Sequence, residues 1–235
     1  MKKDKIIVLS LGGSIVVPDP NRIDVDFLKK FRNLIIGFVK RGYRFVIIVG
    51  GGKINRHYNE VAKSLNKKIK NIDLDWLGIA ATKLNAELIR VIFGDLAYPK
   101  IVSNPKTKVK TKCPIIIGSG YEPGHSTDLD AIIRAKIMGA QLVVNLSNID
   151  YVYTDNPREN LRAKPIKEIS WSDFLKILGK TIGKKWKPRM NTPFDPIAAQ
   201  LAQKYGLTVI VANGQKIKNL KKILLGKNFI GTVIS

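Results

Sequence analysis

The sequence has too few cysteines and histidines to build a disulfide or a zinc site. Cys113 is the single cysteine among 235 residues, so no disulfide can form within the chain. His57 and His125 are the only histidines, and no zinc-ligand cluster can be assembled from them and one thiol. The composition therefore fits a reducing compartment, and we expect a cytoplasmic location.

Acidic residues are also scarce, because 41 lysines and arginines face 18 aspartates and glutamates, for a formal net charge of +23. Such a chain could bind nucleic acid through the lysines of residues 106–112 and 184–189. The basic residues are spread along the chain without a nucleic-acid fold signature, so a solvated basic surface is favoured. Asp195 is the lone acid in residues 174–235, which marks it as a salt-bridge partner or part of a site.

No apolar run is long enough to cross a membrane. The stretch 6–17 follows two lysines and superficially resembles a signal peptide, but its internal Gly12-Gly13 pair and the lack of a cleavage site argue against export. With 45% hydrophobic residues and no Pro/Ser-rich linker, residues 1–235 are predicted to form a single domain without a membrane partner.

Short apolar runs typical of buried strands alternate with amphipathic helical patterns. The predicted strands are 6–11, 45–49, 115–117, 142–146, 208–211 and 229–234. The predicted helices are 25–41, 54–65, 74–93, 130–138, 171–178 and 193–205. This alternation predicts an α/β fold, a three-layer αβα sandwich whose central sheet is mostly parallel.

Three predicted strands end in glycine-rich segments, at Gly12-Gly13-Ser14, at Gly50-Gly51-Gly52 and at residues 118–128. The carboxyl ends of parallel strands line one crevice, and glycines let the backbone approach a ligand closely. Ser126 and Thr127 begin a helix, where amides collect anions, although an ordinary capped loop is the alternative for this segment. A phosphate-binding crevice is predicted.

Two familiar nucleotide-binding motifs are incomplete in this sequence. Neither a P-loop at 179–181 nor a dinucleotide fingerprint is complete.

Five motifs occur in a characteristic order: Leu-Gly-Gly-Ser (11–14), Val-Gly-Gly-Gly-Lys-Ile-Asn-Arg (49–56), Asp75 with Leu77-Gly78-Ile79, Gly-His-Ser-Thr-Asp (124–128) and Ser-Asn-Ile-Asp-Tyr-Val-Tyr-Thr-Asp-Asn-Pro (147–157). Together they resemble the amino acid kinase superfamily, and within it the uridylate kinases of the archaeal type. The resemblance covers nearly the whole chain.

The resemblance implies transfer of the γ-phosphoryl group of ATP to UMP with Mg²⁺, in a homo-oligomer that is a hexamer. The phosphate of the acceptor already carries about −1.5 to −2 charges at neutral pH, so its attack needs no general base. The reaction needs positioning and charge stabilisation instead.

The implied site residues fall into three groups. ATP would be bound by Ser10, Leu11, Gly12, Gly13, Ser14, Gly52, Arg56, Ser147, Tyr153 and Asn156. UMP would be bound by Gly51, Asp75, Tyr121, Glu122, Pro123, Gly124, His125, Ser126 and Thr127. The implied catalytic residues are Lys53, Arg56, Asp128 and Asp195, and the magnesium ligands stay unassigned.

Some of these residues have simpler interpretations. Asp75, expected to bind the ribose hydroxyls, could merely favour a helix N-terminus, and Asp128 could merely cap its helix. Ser147 could be an ordinary hydroxyl after a strand, and Tyr153 a half-buried tyrosine. Lys53 could be a solvated lysine.

Three positions depart from the family pattern. Ser10 stands where much of the superfamily has a strand-end lysine, and Lys53 is the candidate substitute for that charge. Asn156 replaces an aspartate before the proline, and Tyr151 replaces a glycine. The alternatives are therefore a kinase of the same fold with another acceptor (isopentenyl phosphate, carbamate or an amino acid) and a non-catalytic nucleotide-binding or storage relative.

Overall fold

A mostly parallel sheet lies at the centre of the computed structural model, which describes residues 5–155, 159–182 and 192–235. Its strands are β1 (Lys5–Leu11), β2 (Tyr43–Val49), β3 (Ile115–Gly118), β4 (Leu142–Ser147), β7 (Glu168–Ile169), β8 (Thr208–Asn213) and β9 (Thr232–Ile234), while β5 (Val152–Tyr153) and β6 (Pro165–Ile166) form a separate antiparallel pair. The sheet order is β3-β2-β1-β4-β8-β9-β7, and only the β8–β9 pair is antiparallel. The prediction of a mostly parallel sheet is confirmed.

Helices cover both faces of this sheet. They are α1 (Gly13–Val16), α2 (Val25–Val39), α3 (Gly52–Leu65), α4 (Asn71–Phe93), α5 (Thr127–Met138), α6 (Trp171–Ile182), α7 (Pro196–Tyr205) and α8 (Ile217–Leu224), with a 3₁₀ turn at Gly94–Leu96. Leu9 packs in the core under α2, α4 and α8, whereas its neighbour Val8 packs in the core under α5, α6 and α7. This alternation of β1 side chains between two cores confirms the three-layer αβα sandwich.

Each predicted helix differs from the observed one at one end, and at α5 and α7 a capping residue explains the difference. Ser126 Oγ accepts a hydrogen bond from the Leu129 amide, so α5 begins at Thr127 instead of residue 130. Asp195 accepts one from the Ala198 amide, so α7 begins at Pro196 instead of residue 193. No helix in the described ranges is long and apolar enough to cross a membrane.

The strand order places a crevice beside β1. The chain passes from β1 to β2 and β3 on one side of β1, and then returns to β4 on its other side. Such a reversal of direction opens a space between the loops at the carboxyl ends of the two strands, and this is where open α/β sheets bind ligands. The glycine-rich segments and Ser147 all lie at this end of the sheet.

Candidate active site

The carboxyl ends of β1 and β2 are in backbone-to-backbone contact. The Gly50 amide donates to the Leu11 carbonyl at 2.9 Å. A Cβ on Gly13 would lie only 2.1 Å from the Gly52 amide nitrogen and 2.4 Å from the Gly50 carbonyl oxygen. Gly52 also has a φ of +69°, which favours glycine. The sequence therefore needs glycine here so that two strand ends can meet at one place.

A buried asparagine orients the triple-glycine turn. Asn85, on α4, donates from Nδ2 to the carbonyls of Gly50 and Gly51 at 2.9 and 3.1 Å. Those carbonyl oxygens are thereby tied to α4 and kept from facing an anion in the crevice. On the other side of β1, the Gly12 amide donates to the Leu146 carbonyl at 2.9 Å, which joins the ends of β1 and β4.

A cavity of about 230 Å³ adjoins this turn, and we call it the α4 pocket. It is lined by Gly51, Asn55, Leu74, Asp75, Gly78, Ile79, Thr82, Gly120, Glu122, His125, Ser126 and Thr127. Six of the residues expected to bind UMP are among them: Gly51, Asp75, Glu122, His125, Ser126 and Thr127. Tyr121, Pro123 and Gly124 belong to the same loop but do not line the cavity. The structure thus brings together residues from three separate motifs.

The β3–α5 loop, residues 119–126, forms one wall of the α4 pocket and is tied down at both ends. Thr82 Oγ1 accepts a hydrogen bond from the Gly120 amide at 2.9 Å and donates to the Ile79 carbonyl. Asp130 accepts from the Tyr121 amide at 3.1 Å and is 2.8 Å from His125 Nδ1. Ser126 caps α5, so the expectation of a capped helix is correct for this residue, while the loop also lines a cavity.

Asp128 lies at the carboxyl ends of β1 and β4 and is not the cap of α5. Its Oδ1 accepts hydrogen bonds from Ser10 Oγ at 2.9 Å and from Asn145 Nδ2 at 2.8 Å. Burial raises the pKa of Asp128 to about 6; the Ser10 hydrogen bond opposes this shift and the negative charge of Asp195 adds to it. Two carboxylates that influence each other therefore meet beside the strand end that bears Ser10.

The chemistry of these carboxylates suits Mg²⁺. Asp195 is buried and caps α7 by accepting from the Ala198 amide at 2.8 Å. In the described part of the chain, no three histidine, cysteine, aspartate or glutamate side chains form a group that could hold a metal ion. Mg²⁺, however, is commonly bound by one or two carboxylates together with substrate phosphates. Asp128 and Asp195 fit that donor set.

The structure gives the following positions for the remaining predicted residues. Leu11 is buried at the end of β1, Ser14 lies in α1, and Lys53 and Arg56 are exposed near the start of α3. Ser147 ends β4, and half-buried Tyr153 lies in β5. Asn156 lies outside the described residues.

Several residues of the site were missed by the sequence analysis. Asn145 is polar within the apolar strand β4, and that exception was a usable signal. Thr82 and the residues at 74, 78 and 79 share one face of α4 with Asp75, which helical spacing could have indicated. Asn85 is one more helical turn along, but nothing local distinguishes it from an exposed asparagine.

Comparisons with known proteins agree with this geometry. The model of the amino acid kinase family matches residues 5–213. The chain is 34% identical over 226 residues to a uridylate kinase of Pyrococcus abyssi, covering 94% of this chain and 96% of that protein. It is 32% identical over 233 residues to a uridylate kinase of Methanobrevibacter smithii, covering 97% and 99%.

Solved structures give the same result. Uridylate kinase from Archaeoglobus fulgidus superposes with a TM-score of 0.81 at 26% identity, covering 97% of this chain and 99% of that one. UMP kinase from Ureaplasma parvum superposes with a TM-score of 0.77 at 22% identity, covering 99% of each chain, and supports the fold alone. The chain belongs to the amino acid kinase family and, within it, to the uridylate kinases of the archaeal type.

Proposed function

We propose that this protein is an ATP-dependent UMP kinase, which transfers the γ-phosphoryl group of ATP to UMP and forms UDP and ADP. The observation that carries the proposal is the position of the α4 pocket. The pocket shares Gly51 with the triple-glycine turn, and Thr127, which also lines it, directly precedes Asp128. An acceptor in the pocket would therefore sit next to the strand ends where phosphates and the two carboxylates would meet.

The proposed roles follow from chemistry. UMP would occupy the α4 pocket, with the Asp75 carboxylate accepting hydrogen bonds from the ribose hydroxyls. The triphosphate of ATP would lie along residues 10–14 and the triple-glycine turn, with Ser147, Tyr153 and Asn156 on the nucleoside side. Asp128 and Asp195 would hold magnesium, which neutralises charge on the phosphates when bound. No residue needs to act as a general base, because the attacking phosphate oxygen is already anionic.

Positive charge would come from the start of α3. Arg56 has the planar guanidinium that binds phosphate oxygens in pairs, and Lys53 follows the glycine turn directly. Ser10 offers only a neutral hydroxyl, and this hydroxyl is already hydrogen-bonded to Asp128. We propose that Lys53 replaces part of the charge that a lysine at position 10 would have supplied.

The wider context is also a proposal. We propose a cytoplasmic enzyme of pyrimidine nucleotide biosynthesis, with UMP and ATP, not nucleic acid, as its partners. A homo-oligomer, a hexamer by family resemblance, is supported by apolar side chains exposed on α3 and α4, namely Val61, Leu65, Trp76 and Leu84. Light scattering coupled to gel filtration would measure the subunit number.

A coupled assay with ATP and Mg²⁺ tests the function. The acceptors compared are UMP, CMP, dUMP and isopentenyl phosphate, and we expect UMP to be preferred, with UDP and ADP formed in equal amounts. Faster turnover of isopentenyl phosphate would overturn the assignment of the acceptor. Tight binding of ATP and UMP without turnover in Mg²⁺ or Mn²⁺ would instead support a non-catalytic relative.

A further inference from the structure

Two charged side chains are fully buried beneath the β3–α5 loop. Asp130 and Arg134 lie one turn apart on α5, and both have a relative exposure of 0%. Neither lines the α4 pocket, and neither has a role in the proposed phosphoryl transfer. Burying a charge is costly unless it is well partnered, so the partners of these two groups indicate what they stabilise.

The carboxylate of Asp130 contacts residues near both ends of the β3–α5 loop. Its Oδ2 accepts a hydrogen bond from the Tyr121 amide at 3.1 Å, and its Oδ1 lies 2.8 Å from His125 Nδ1. Tyr121 stands near the start of the loop and His125 near its end. The Asp130 carboxylate therefore fixes the distance between the two ends of the loop that forms this wall of the pocket.

The same contact decides which nitrogen of His125 faces its surroundings. Because an ionised carboxylate can only accept hydrogen bonds, Nδ1 would carry the hydrogen in this contact, and Nε2 would be left for other partners. Nε2 lies 3.4 Å from Glu122 Oε1, and both His125 and Glu122 line the α4 pocket. The buried carboxylate thus orients a ring that a ligand in the pocket would meet.

Arg134 stabilises the backbone segment that lies next to this loop. Its guanidinium donates to the carbonyls of Thr107 and Asn104 at 2.5 and 2.6 Å, which fixes the neighbouring segment 102–107. Asn104 Nδ2 in turn donates to the Tyr121 hydroxyl at 3.3 Å. The Asp130 carboxylate thus has a partner at each oxygen, the Tyr121 amide at Oδ2 and the His125 ring at Oδ1.

We propose that Asp130 is a positioning residue for the acceptor nucleotide: by fixing the Nδ1–H form of His125 and the Tyr121 amide, it aims His125 Nε2 into the α4 pocket. This rests on the proposed function, because the α4 pocket is where UMP would bind. Asp130 itself touches no substrate. Its loss should weaken binding of the acceptor and spare ATP, whose nucleoside would lie on the other side of β1.

Two variants separate positioning from stability. Asp130→Asn keeps the shape of the side chain but leaves one acceptor oxygen for two donors. The double variant Asp130→Leu/Arg134→Met removes both buried charges together, so that neither is left unpaired, and such replacements are often neutral or stabilising. Asp24→Ala is the matched control, because Asp24 caps α2 by accepting from the Phe27 amide at 2.9 Å, away from the pocket.

Steady-state kinetics and NMR give the decisive readouts. We expect the double variant to raise the KM for UMP at least about tenfold, the scale of a lost hydrogen bond to a charged group, with kcat and the KM for ATP within about threefold. Asp130→Asn should raise the KM for UMP at least about threefold. Imidazole ¹⁵N spectra should show the Nδ1–H of His125 in the wild type and its loss in the double variant, with His57 as the unchanged internal reference.

Three results would overturn the proposal. One is an unchanged KM for UMP in the folded double variant or, if that variant does not fold, in Asp130→Asn. Another is a parallel loss in all kinetic constants that tracks melting temperature, as in Asp24→Ala, since this would make Asp130 purely structural. The last is a wild-type His125 protonated only at Nε2. Absence of UMP turnover in the wild type would refute the proposed function instead, and the ring spectra would still report on the Asp130–His125 contact.

Discussion

Replacing Gly13 by alanine should damage both stability and catalysis, because its Cβ would enter the contact between two strand ends. The new atom would lie 2.1 Å from the Gly52 amide nitrogen, whereas real Cβ contacts essentially never fall below 3.0 Å, so the backbones must separate by at least 0.9 Å. Overpacking typically costs 1–3 kcal/mol, and backbone neighbours cannot rotate away, so we expect about 3 kcal/mol. For a chain of this size the melting temperature should fall by about 6–12 °C.

The displaced turn is the one that would bind phosphates, and a misplacement of about 1 Å can cost about 10²-fold in rate. Calorimetry and the UMP kinase assay would measure the two effects. Gly37→Ala is the matched control, since Gly37 lies in α2 and a methyl group added there would have no neighbour within 4 Å, so alanine should stabilise the helix by about 0.5–1 kcal/mol. Wild-type stability and activity in Gly13→Ala would refute the strand-end contact.

Four further substitutions test the proposed roles. Arg56→Ala should lower kcat/KM at least about 10²-fold, and a change below about fivefold would remove Arg56 from the phosphates. Asp75→Asn should weaken UMP more than dUMP by about 1.5–3 kcal/mol, so equal losses would contradict a ribose contact. Lys53→Met should lower kcat with little change in nucleotide affinity, which a wild-type kcat would disprove. The pKa of Asp128 is about 6 in the native state, against 3.8 unperturbed, so the native state favours the protonated form of this side chain. The contribution of Asp128 to stability is therefore greatest below pH 3.8 and is lost as the pH rises to about 6. Asp128→Asn should therefore raise the melting temperature at pH 8 while lowering kcat. The ratio of wild-type to variant activity should decrease when the pH is lowered below about 6. Taking this ratio removes the effect of the titration of UMP itself.

Six of the nine strands and six of the eight α-helices in the described ranges were predicted, because each of these carries its own local signal, whereas the two-residue strands β5, β6 and β7 were missed. The sequence analysis missed α8, a helix of only eight residues in which two lysines separate buried Leu220 from the buried pair Ile223 and Leu224. It also missed α1, which lies inside the apolar stretch 6–17 and looked like one continuous run. That residues 1–235 form one domain stays a prediction.

The candidate site could be predicted where function needs a particular residue type, but less well where it depends on hydrogen bonds between residues distant in the sequence. Glycines at strand ends and a hydroxyl-rich loop are visible in the sequence. The hydrogen bond between Ser10 and Asp128 joins residues 118 positions apart, and no periodicity reports it. Asp130 and Arg134 escaped notice because charged residues on a helix are normally assigned to its solvent face, whereas in α5 these two are buried and only Lys136 is exposed.

Burial is the largest cause of the raised pKa of Asp128, and the neutral side chain at position 10 supplies no positive charge to oppose it. A lysine at position 10 would compensate the Asp128 carboxylate directly and hold its pKa low. The Ser10 hydroxyl and Asn145 amide satisfy Asp128 with neutral hydrogen bonds, so the full negative charge of the carboxylate persists beside Asp195. A transition state that spreads negative charge over phosphate oxygens is disfavoured beside two carboxylates unless cations compensate them. On the proposed function, we expect that cation to arrive with the nucleotide, as magnesium, or to be supplied by the start of α3.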